Sequence, residues 1–191
     1  MKIGLFFGSF NPIHIGHLVI ANFMAENTDL QKVWFLVSPH NPLKEKKSLL
    51  RDNDRLHLVR LATEDNSKFK VSDIEFKLPQ PSYTIHTLVH LNEKYPQHEF
   101  CLIMGSDNLE SFDKWKNYEI ILRDYEIYVY SRAEKLKSSL ANHEHVKIFD
   151  VPVMDISSSE IRKLIGEKKS IRYLLPETVF EEVKSRKFYK K

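Results

Sequence analysis

Residues 2–17 read KIGLFFGSFNPIHIGH, a short apolar run followed by a glycine turn, a proline and two histidines around a glycine. The run at 2–7 is rich in β-branched and aromatic residues, which predicts a strand. Residues 15–26 have the apolar spacing of a helix. A strand that leads through a glycine turn into a helix is the opening unit of an α/β fold.

The rest of the chain repeats this alternation of short strands and longer helices. Strands are predicted at 2–7, 32–37, 69–72, 99–104, 125–130 and 146–149, and helices at 15–26, 52–64 and 84–94. Two further helices should close the chain, one that ends at Gly166 and one that follows Pro176. This order predicts an α/β fold with an open, mainly parallel sheet and helices on both faces. Ligands should bind beyond the carboxyl ends of the strands.

Composition sets the broad class of the protein. The 191 residues, 42% of them hydrophobic, suit one domain over 1–191, in which 157–191 form a C-terminal helical part. A net charge of +3 does not call for a nucleic-acid partner. Cys101 is a single cysteine in an apolar run and excludes an internal disulfide. No apolar stretch approaches the ~20 residues needed to span a bilayer, so we expect a cytoplasmic protein without a membrane partner.

The ten residues after the first strand predict a phosphate-binding site. Backbone N–H groups of Gly8, Ser9 and Phe10 should point outward, near the positive end of a helix dipole, and can bind anionic oxygens. His14 and His17 lie at the helix start, where both rings can donate hydrogen bonds to a phosphoryl group. Each feature alone also fits an ordinary turn or a polar helix end, but their order together favours phosphate binding. Neither a Walker loop nor a GxGxxG pattern is present.

A second candidate site has the sequence ISSSEIR at residues 156–162. Ser157 opens a capping-box pattern, which by itself requires no ligand. Arg162 shares a helix face with Ser158 and Ser159, so hydroxyls, the amides of the helix start and a guanidinium can converge on one anion. A capping box does not need the arginine, which therefore favours an anion site.

Together, HIGH at 14–17 and ISSSEIR resemble the HxGH nucleotidylyltransferase superfamily, and within it the bacterial nicotinate-nucleotide adenylyltransferases. The resemblance runs from Gly8 to Pro176. It implies a Rossmann-like fold and the transfer of AMP from ATP to nicotinate mononucleotide, which gives deamido-NAD and pyrophosphate in NAD biosynthesis. Magnesium is expected to arrive bound to ATP, since the sequence contains no cluster of residues with metal-ligand spacing.

The resemblance also implies which residues bind each substrate. Trp115 is expected to stack on the pyridine ring, with Tyr83 and Thr84 beside it and Arg132 as a further residue of the acceptor site. The residues expected to bind ATP are Gly8, Ser9, Phe10, Lys44, Gly105, Ser106, Asp107, Ile156, Ser157, Ser158 and Ser159. The chain departs from the family pattern at Leu43, His86, Ala133 with Glu134, and Ser159.

The expected mechanism is an in-line attack of the acceptor's phosphate on the α-phosphorus of ATP. That phosphate is already ionised at neutral pH, so no side chain need act as a covalent nucleophile. Catalysis then consists of alignment and of stabilising charge on the transferring group. His14 and His17 are expected to act at the α-phosphate, and Ser158, Ser159 and Arg162 at the β and γ phosphates, with Lys44 as a supporting charge.

Several alternatives stay open at this stage. A related adenylyltransferase could use pantetheine phosphate or nicotinamide mononucleotide, and a cytidylyltransferase could use the same phosphate site. A class I aminoacyl-tRNA synthetase also carries HIGH, but this chain lacks a KMSKS-like loop. A non-catalytic nucleotide-binding module would need phosphate binding but not both histidines. The sequence does not indicate an oligomeric state.

Overall fold

The computed structural model describes residues 1–39, 49–131, 138–152 and 154–190. Its strands are β1 (Lys2–Gly8), β2 (Lys32–Val37), β3 (Phe69–Ser72), β4 (Glu99–Gly105), β5 (Ile127–Ser131) and β6 (Val146–Asp150). Its helices are α1 (Ile15–Asn27), α2 (Asp52–Thr63), α3 (Thr84–Lys94), α4 (Ser106–Glu110), α5 (Tyr118–Asp124), α6 (Ser158–Gly166) and α7 (Glu177–Ser185). A 3₁₀ turn at Ile74–Lys77 lies between β3 and α3.

The six strands form one sheet in the order β3-β2-β1-β4-β5-β6, and every neighbouring pair is parallel. This is the strand order of a Rossmann-type sheet, in which the order reverses between the first and fourth strands. The crevice beyond the carboxyl ends of β1 and β4 is therefore the expected ligand position. The prediction of an open sheet is confirmed, and the pairing is parallel throughout.

Helices cover both faces of the sheet, as predicted. On one face, α1, α2, α6 and α7 bury apolar side chains such as Met24, Leu58 and Ile161. On the other face, α3 and α5 contribute Leu88 and Ile121 to a second cluster. Such burial, at about 25 cal/mol per Å² of apolar surface, is the main force that fixes the helices on the sheet.

The predicted bounds agree closely with the observed elements where the apolar pattern is strong. The segments at 32–37, 69–72 and 84–94 are observed as predicted, and α6 ends at Gly166. Other strands and helices differ by one or two residues at an end.

The prediction of a strand at 125–130 is wrong at its start, because Tyr125 is the C-cap of α5 and the strand begins at Ile127. The Tyr125 ring is buried and its hydroxyl accepts a hydrogen bond of 2.6 Å from Asn92. A buried aromatic residue of this kind is typical of a strand, which is why the sequence pattern extends the strand to Tyr125. The short helices α4 and α5 were not predicted.

The structure also tests two predictions that were made from the composition, one on Cys101 and one on membrane spans. Cys101 lies buried on β4 as a free thiol, and burial raises its pKa. Within the described ranges, no helix combines the length and apolar character that a membrane crossing requires.

Candidate functional site

The turn after β1 holds its backbone at the crevice while its largest side chain lies in the core. Phe10 has a φ of 44°, a left-handed conformation that turns the chain sharply, and its ring is only 2% exposed. A Cβ at Gly8 would lie 2.8 Å from this ring, so only glycine fits there. The Phe10 ring is therefore structural, and the binding of anionic oxygens by the backbone N–H groups of Gly8, Ser9 and Phe10 stays a prediction.

The two histidine rings pack against each other, tilted by 33°, at the start of α1. Their ring centroids lie 3.7 Å apart, and the backbone N–H of His14 donates to Nδ1 of His17 over 3.2 Å. Because Nδ1 accepts, the neutral His17 ring carries its proton on Nε2 and can donate from that atom. A Cβ at Gly16 would lie 3.1 Å from Nδ1 of His14, so this glycine makes room for the ring.

The start of α6 packs directly against the segment that precedes His14. Ser158 Oγ donates to the backbone carbonyl of Pro12 over 2.9 Å. Arg162 donates from Nη1 to the carbonyl of Asn11 over 2.7 Å and from Nη2 to Ser159 Oγ over 3.2 Å. The two motifs that the sequence singled out thus form one site, although they lie far apart in the chain.

The α6 contacts also refine the expected roles of its residues. Ser157 is the N-cap and its side chain accepts from Glu160 N over 3.1 Å, so the capping pattern is confirmed. In this structure Ser158 and Arg162 donate hydrogen bonds to backbone carbonyls of the same chain. Their contact with a triphosphate stays a prediction, as does that of Ile156, which lies half-buried beside Gly16.

Gly105, Ser106 and Asp107 lie where β4 ends and α4 begins, beside the carboxyl end of β1. A Cβ at Gly105 would collide with the carboxylate of Asp107 and would lie 3.2 Å from the Tyr130 ring. Glycine therefore allows Asp107 to fold back over the end of the strand. This position agrees with the expected role near the ATP nucleoside, which no contact tests.

A cavity of about 310 Å³ opens beside the β1 turn. Its walls include Gly8, Ser9, Tyr83, Thr84 and Trp115, so the structure brings the predicted acceptor residues next to the predicted phosphate turn. Tyr83 caps α3, and the half-buried Trp115 follows a short 3₁₀ turn. The cavity is partly apolar and has an aromatic wall, which suits a flat ring.

Two predicted site residues, Lys44 and Arg132, lie outside the described residues. In the part of the chain that the structure describes, no group of three or more histidine, cysteine, aspartate or glutamate residues is arranged to hold a metal ion.

Sequence reasoning missed two residues that shape the site. Arg55 on α2 is 0% exposed and donates to the carbonyls of Ser9, Ser38 (2.8 Å) and Pro39 (2.9 Å), which holds the loops after β1 and β2 together. Its place on the apolar face of a predicted helix was a usable signal. Glu75 is buried in the cavity wall, and nothing in its sequence context pointed to it.

Comparisons of the whole sequence with known proteins agree on one enzyme group. A cytidylyltransferase-like family model matches residues 5–164. A relative from Flavobacterium psychrophilum, named "Probable nicotinate-nucleotide adenylyltransferase", is 58% identical over 193 residues that cover 100% of both chains. A relative of the same name from Bacteroides thetaiotaomicron is 46% identical and covers 96% of this chain and 91% of its own.

The fold has close counterparts among solved structures. Nicotinic acid mononucleotide adenylyltransferase from Plasmodium falciparum, complexed with NaAD, superimposes with a TM-score of 0.82 over 98% of this chain and 97% of its own. The identity is 18%, so this likeness supports the Rossmann-like fold and carries no residue-level argument.

Proposed function

The chain belongs to the nicotinate-nucleotide adenylyltransferase family, and we propose that the crevice beyond β1 and β4 is where it transfers AMP from ATP to nicotinate mononucleotide. The products are deamido-NAD and pyrophosphate. The observation that carries this assignment is the joining of two anion-binding motifs, at the starts of α1 and α6, beside a cavity that suits a flat ring.

In this proposal the reaction centre is the space in front of the histidine pair. The acceptor's phosphate attacks the α-phosphorus of ATP, the bond to the bridging oxygen breaks, and pyrophosphate leaves with the electron pair. Nε2 of His17 donates to the transferring phosphoryl group, because Nδ1 is held by the His14 backbone. His14 packs against it and contributes a second donor. Ionised phosphate needs no general base.

The β and γ phosphates lie, in the same proposal, at the start of α6. Ser158, Ser159 and Arg162 can exchange their internal hydrogen bonds for phosphate oxygens, and the helix dipole favours negative charge there. Lys44 is the predicted supporting charge. ATP enters as its magnesium complex, so the metal comes with the substrate. Residues 157–191 thereby act with the sheet as one nucleotidyltransferase domain.

The acceptor occupies the cavity, with its pyridine ring against Trp115 and its ring substituent toward the start of α3 at Tyr83 and Thr84. Arg132 is the remaining predicted acceptor residue. The nucleoside of ATP lies near Gly105, Ser106 and Asp107. Both substrates then meet at the turn of Gly8 to Phe10.

The test is pyrophosphate release from ATP with nicotinate mononucleotide, its amide or phosphopantetheine as acceptor. We expect turnover with nicotinate mononucleotide to exceed that with either alternative. CTP in place of ATP tests the cytidylyltransferase alternative that the family model leaves open. Higher turnover with phosphopantetheine, or with CTP, would overturn the proposal.

A further inference from the structure

Glu75 is a buried carboxyl group in the wall of the acceptor cavity. It lies on the 3₁₀ turn between β3 and α3, its side chain is 3% exposed, and it lines the cavity together with Ser38 and Ser82. Neither composition nor motif assigns it a role in the reaction.

The hydrogen bonding of Glu75 is incomplete. Oε1 accepts a hydrogen bond of 2.8 Å from the hydroxyl of Thr87, which is itself buried on α3. Oε2 makes no hydrogen bond of ordinary geometry with a described residue, although the hydroxyls of Ser38 and Ser82 lie close enough to favour the charged carboxylate. Burial raises the pKa of Glu75, and the hydroxyls of Ser38, Thr87 and Ser82 oppose this shift only in part. No lysine or arginine among the described residues compensates the charge.

A carboxylate that only tied the 3₁₀ turn to α3 would need one oxygen. Leaving the second oxygen buried without a partner is unfavourable, because it gains no hydrogen bond in exchange for water. Among the described residues, none forms an ion pair with this carboxylate, although Lys116 lines another part of the same cavity. The cost of the uncompensated charge is lowered if a cation enters the cavity.

The proposed acceptor brings such a cation. Its ring nitrogen carries the ribose, so the pyridine ring is a pyridinium with a formal positive charge. Trp115 and Tyr83, the aromatic walls expected to border this ring, line the same cavity as Glu75. Opposite charges in a cavity shielded from water attract more strongly than in water.

We propose that the Glu75 carboxylate is the counter-charge of the acceptor's pyridinium ring, and that it makes the enzyme select acceptors with a cationic ring over those with a neutral one. This inference rests on the proposed function and names a specificity-determining residue for it. Oε1 stays fixed by Thr87, and the carboxylate acts on the ring through its charge, from just behind the surface of the cavity.

The decisive experiment compares nicotinate mononucleotide with its 1,4-dihydro form, which keeps the carboxylate and phosphate but has a neutral ring. The parent should use the cationic form with a kcat/KM at least about tenfold higher, and Glu75→Gln should reduce this ratio about tenfold. Gln keeps the size of the side chain and one acceptor oxygen, but it replaces the other oxygen by an NH2 donor and removes the charge. Trp115 is intact in both proteins, so stacking cancels in the comparison.

Two matched controls separate charge from structure. Thr87→Val removes the hydrogen bond that positions Oε1 but keeps the carboxyl group, so the ratio should fall less than it does in Glu75→Gln. Glu93→Gln makes the same substitution at an exposed position of α3 and should leave the ratio unchanged. Thermal unfolding of each variant reports whether the fold is retained.

The inference is overturned if Glu75→Gln lowers both efficiencies equally, or if the parent itself shows no preference for the cationic ring. The second measurement needs no variant and therefore holds even if Glu75→Gln does not fold. Absence of any turnover by the parent with nicotinate mononucleotide and ATP would instead overturn the proposed function.

Discussion

Arg162 on α6 donates a hydrogen bond of 2.7 Å to the backbone carbonyl of Asn11, although the two residues lie 151 positions apart in the chain. Asn11 also accepts from the hydroxyl of Tyr189 over 2.9 Å and from the backbone of Leu50 over 3.2 Å. The loop before the histidines is thus positioned by Arg162 on α6, by Tyr189 beyond the end of α7 and by the backbone of Leu50. A ligand that engages Arg162 acts on this loop as well.

Arg162→Lys should weaken ATP binding and slow turnover together. The guanidinium reaches Asn11 and Ser159 at once through two nitrogens, whereas an ammonium is a single point that cannot do both. We expect the KM for ATP to rise about tenfold, equivalent to about 1.4 kcal/mol, with a fall in kcat. Initial rates at varied ATP measure both.

Lys163→Ala, at the exposed neighbouring position of α6, is the control and should leave both constants unchanged. Urea unfolding separates the structural role of Arg162 from its role with ATP. If Arg162→Lys unfolds more easily but titrates ATP like the parent, Arg162 only ties the loop to α6, and its assignment to the triphosphate is wrong.

His17→Ala should lower kcat by about 10²-fold, with a smaller change in the KM for ATP, because the lost donor acts on charge that develops in the transition state. The 3.2 Å contact from His14 to Nδ1 makes the test sharper, since it assigns the donating proton to Nε2. Single-turnover rates with saturating substrates measure the chemical step.

Two amide substitutions at this position discriminate between the ring nitrogens. Glutamine places an N–H group near the position of Nε2, whereas asparagine reaches only the position of Nδ1. His17→Gln should therefore retain more activity than His17→Asn. The reverse order would show that the tautomer assigned here is not the active one, and near-normal kcat in His17→Ala would remove His17 from the mechanism.

Arg55→Met should destabilise the protein strongly. The buried guanidinium donates to four loop carbonyls, those of Ser9, Ser38, Pro39 and Leu50. It also forms an ion pair of 2.7 Å with Asp52, which keeps it charged although burial lowers its pKa. Each buried acceptor left without a donor costs about 1–3 kcal/mol, so the free energy of unfolding should fall by about 3 kcal/mol or more. Urea unfolding at neutral pH measures it.

Arg60→Met on the same helix is the matched control, because Arg60 is exposed. It should change the free energy of unfolding by less than about 0.5 kcal/mol. An unchanged urea midpoint for Arg55→Met would show that water replaces the guanidinium and that the loops after β1 and β2 do not depend on it.

The parts of the fold that sequence predicts well are those with strong local signals. From β1 to α1, a continuous apolar run is followed by turn residues and then by helical spacing. This pattern predicts a strand, a turn and a helix in that order and favours no alternative. In contrast, α4 has five residues, too few for helical periodicity to appear. The start of β5 was misplaced because the buried Tyr125 continues the apolar pattern beyond the strand.

In the candidate site, too, local motifs could be predicted from the sequence, whereas contacts between distant segments could not. The residues of the α1 and α6 motifs could be predicted because each motif is a local pattern, but their mutual contact depends on tertiary packing. The same holds for Glu75, whose burial results from the packing of the 3₁₀ turn against α3. A single sequence carries no direct signal for such contacts.

We expect the start of α3 to favour an acid over an amide as the substituent of the acceptor's ring. Intrahelical hydrogen bonds begin at His86, whose N–H bonds to Tyr83 O over 2.9 Å, so the amides of Thr84 and Ile85 precede them at the positive end of the helix dipole. Lys116 lines the same cavity, with its Nζ 4.5 Å from the centre of the Tyr83 ring. N–H donors and a positive charge suit a carboxylate, which only accepts hydrogen bonds.

We therefore expect nicotinate mononucleotide to have a kcat/KM at least about tenfold above that of its amide, a difference of about 1.4 kcal/mol at the transition state.

Trp115→Ala should weaken binding of this substrate more than that of ATP, because a stacking surface is lost while the phosphate contacts remain. Lys116→Met should reduce the preference for the acid, whereas Lys114→Met, an exposed neighbour on the same wall, should reduce it less. Initial rates with both mononucleotides decide the matter: equal efficiency in the parent would show that the α3 terminus does not select the acid, and an unaltered preference in Lys116→Met would assign the selection to the helix amides alone.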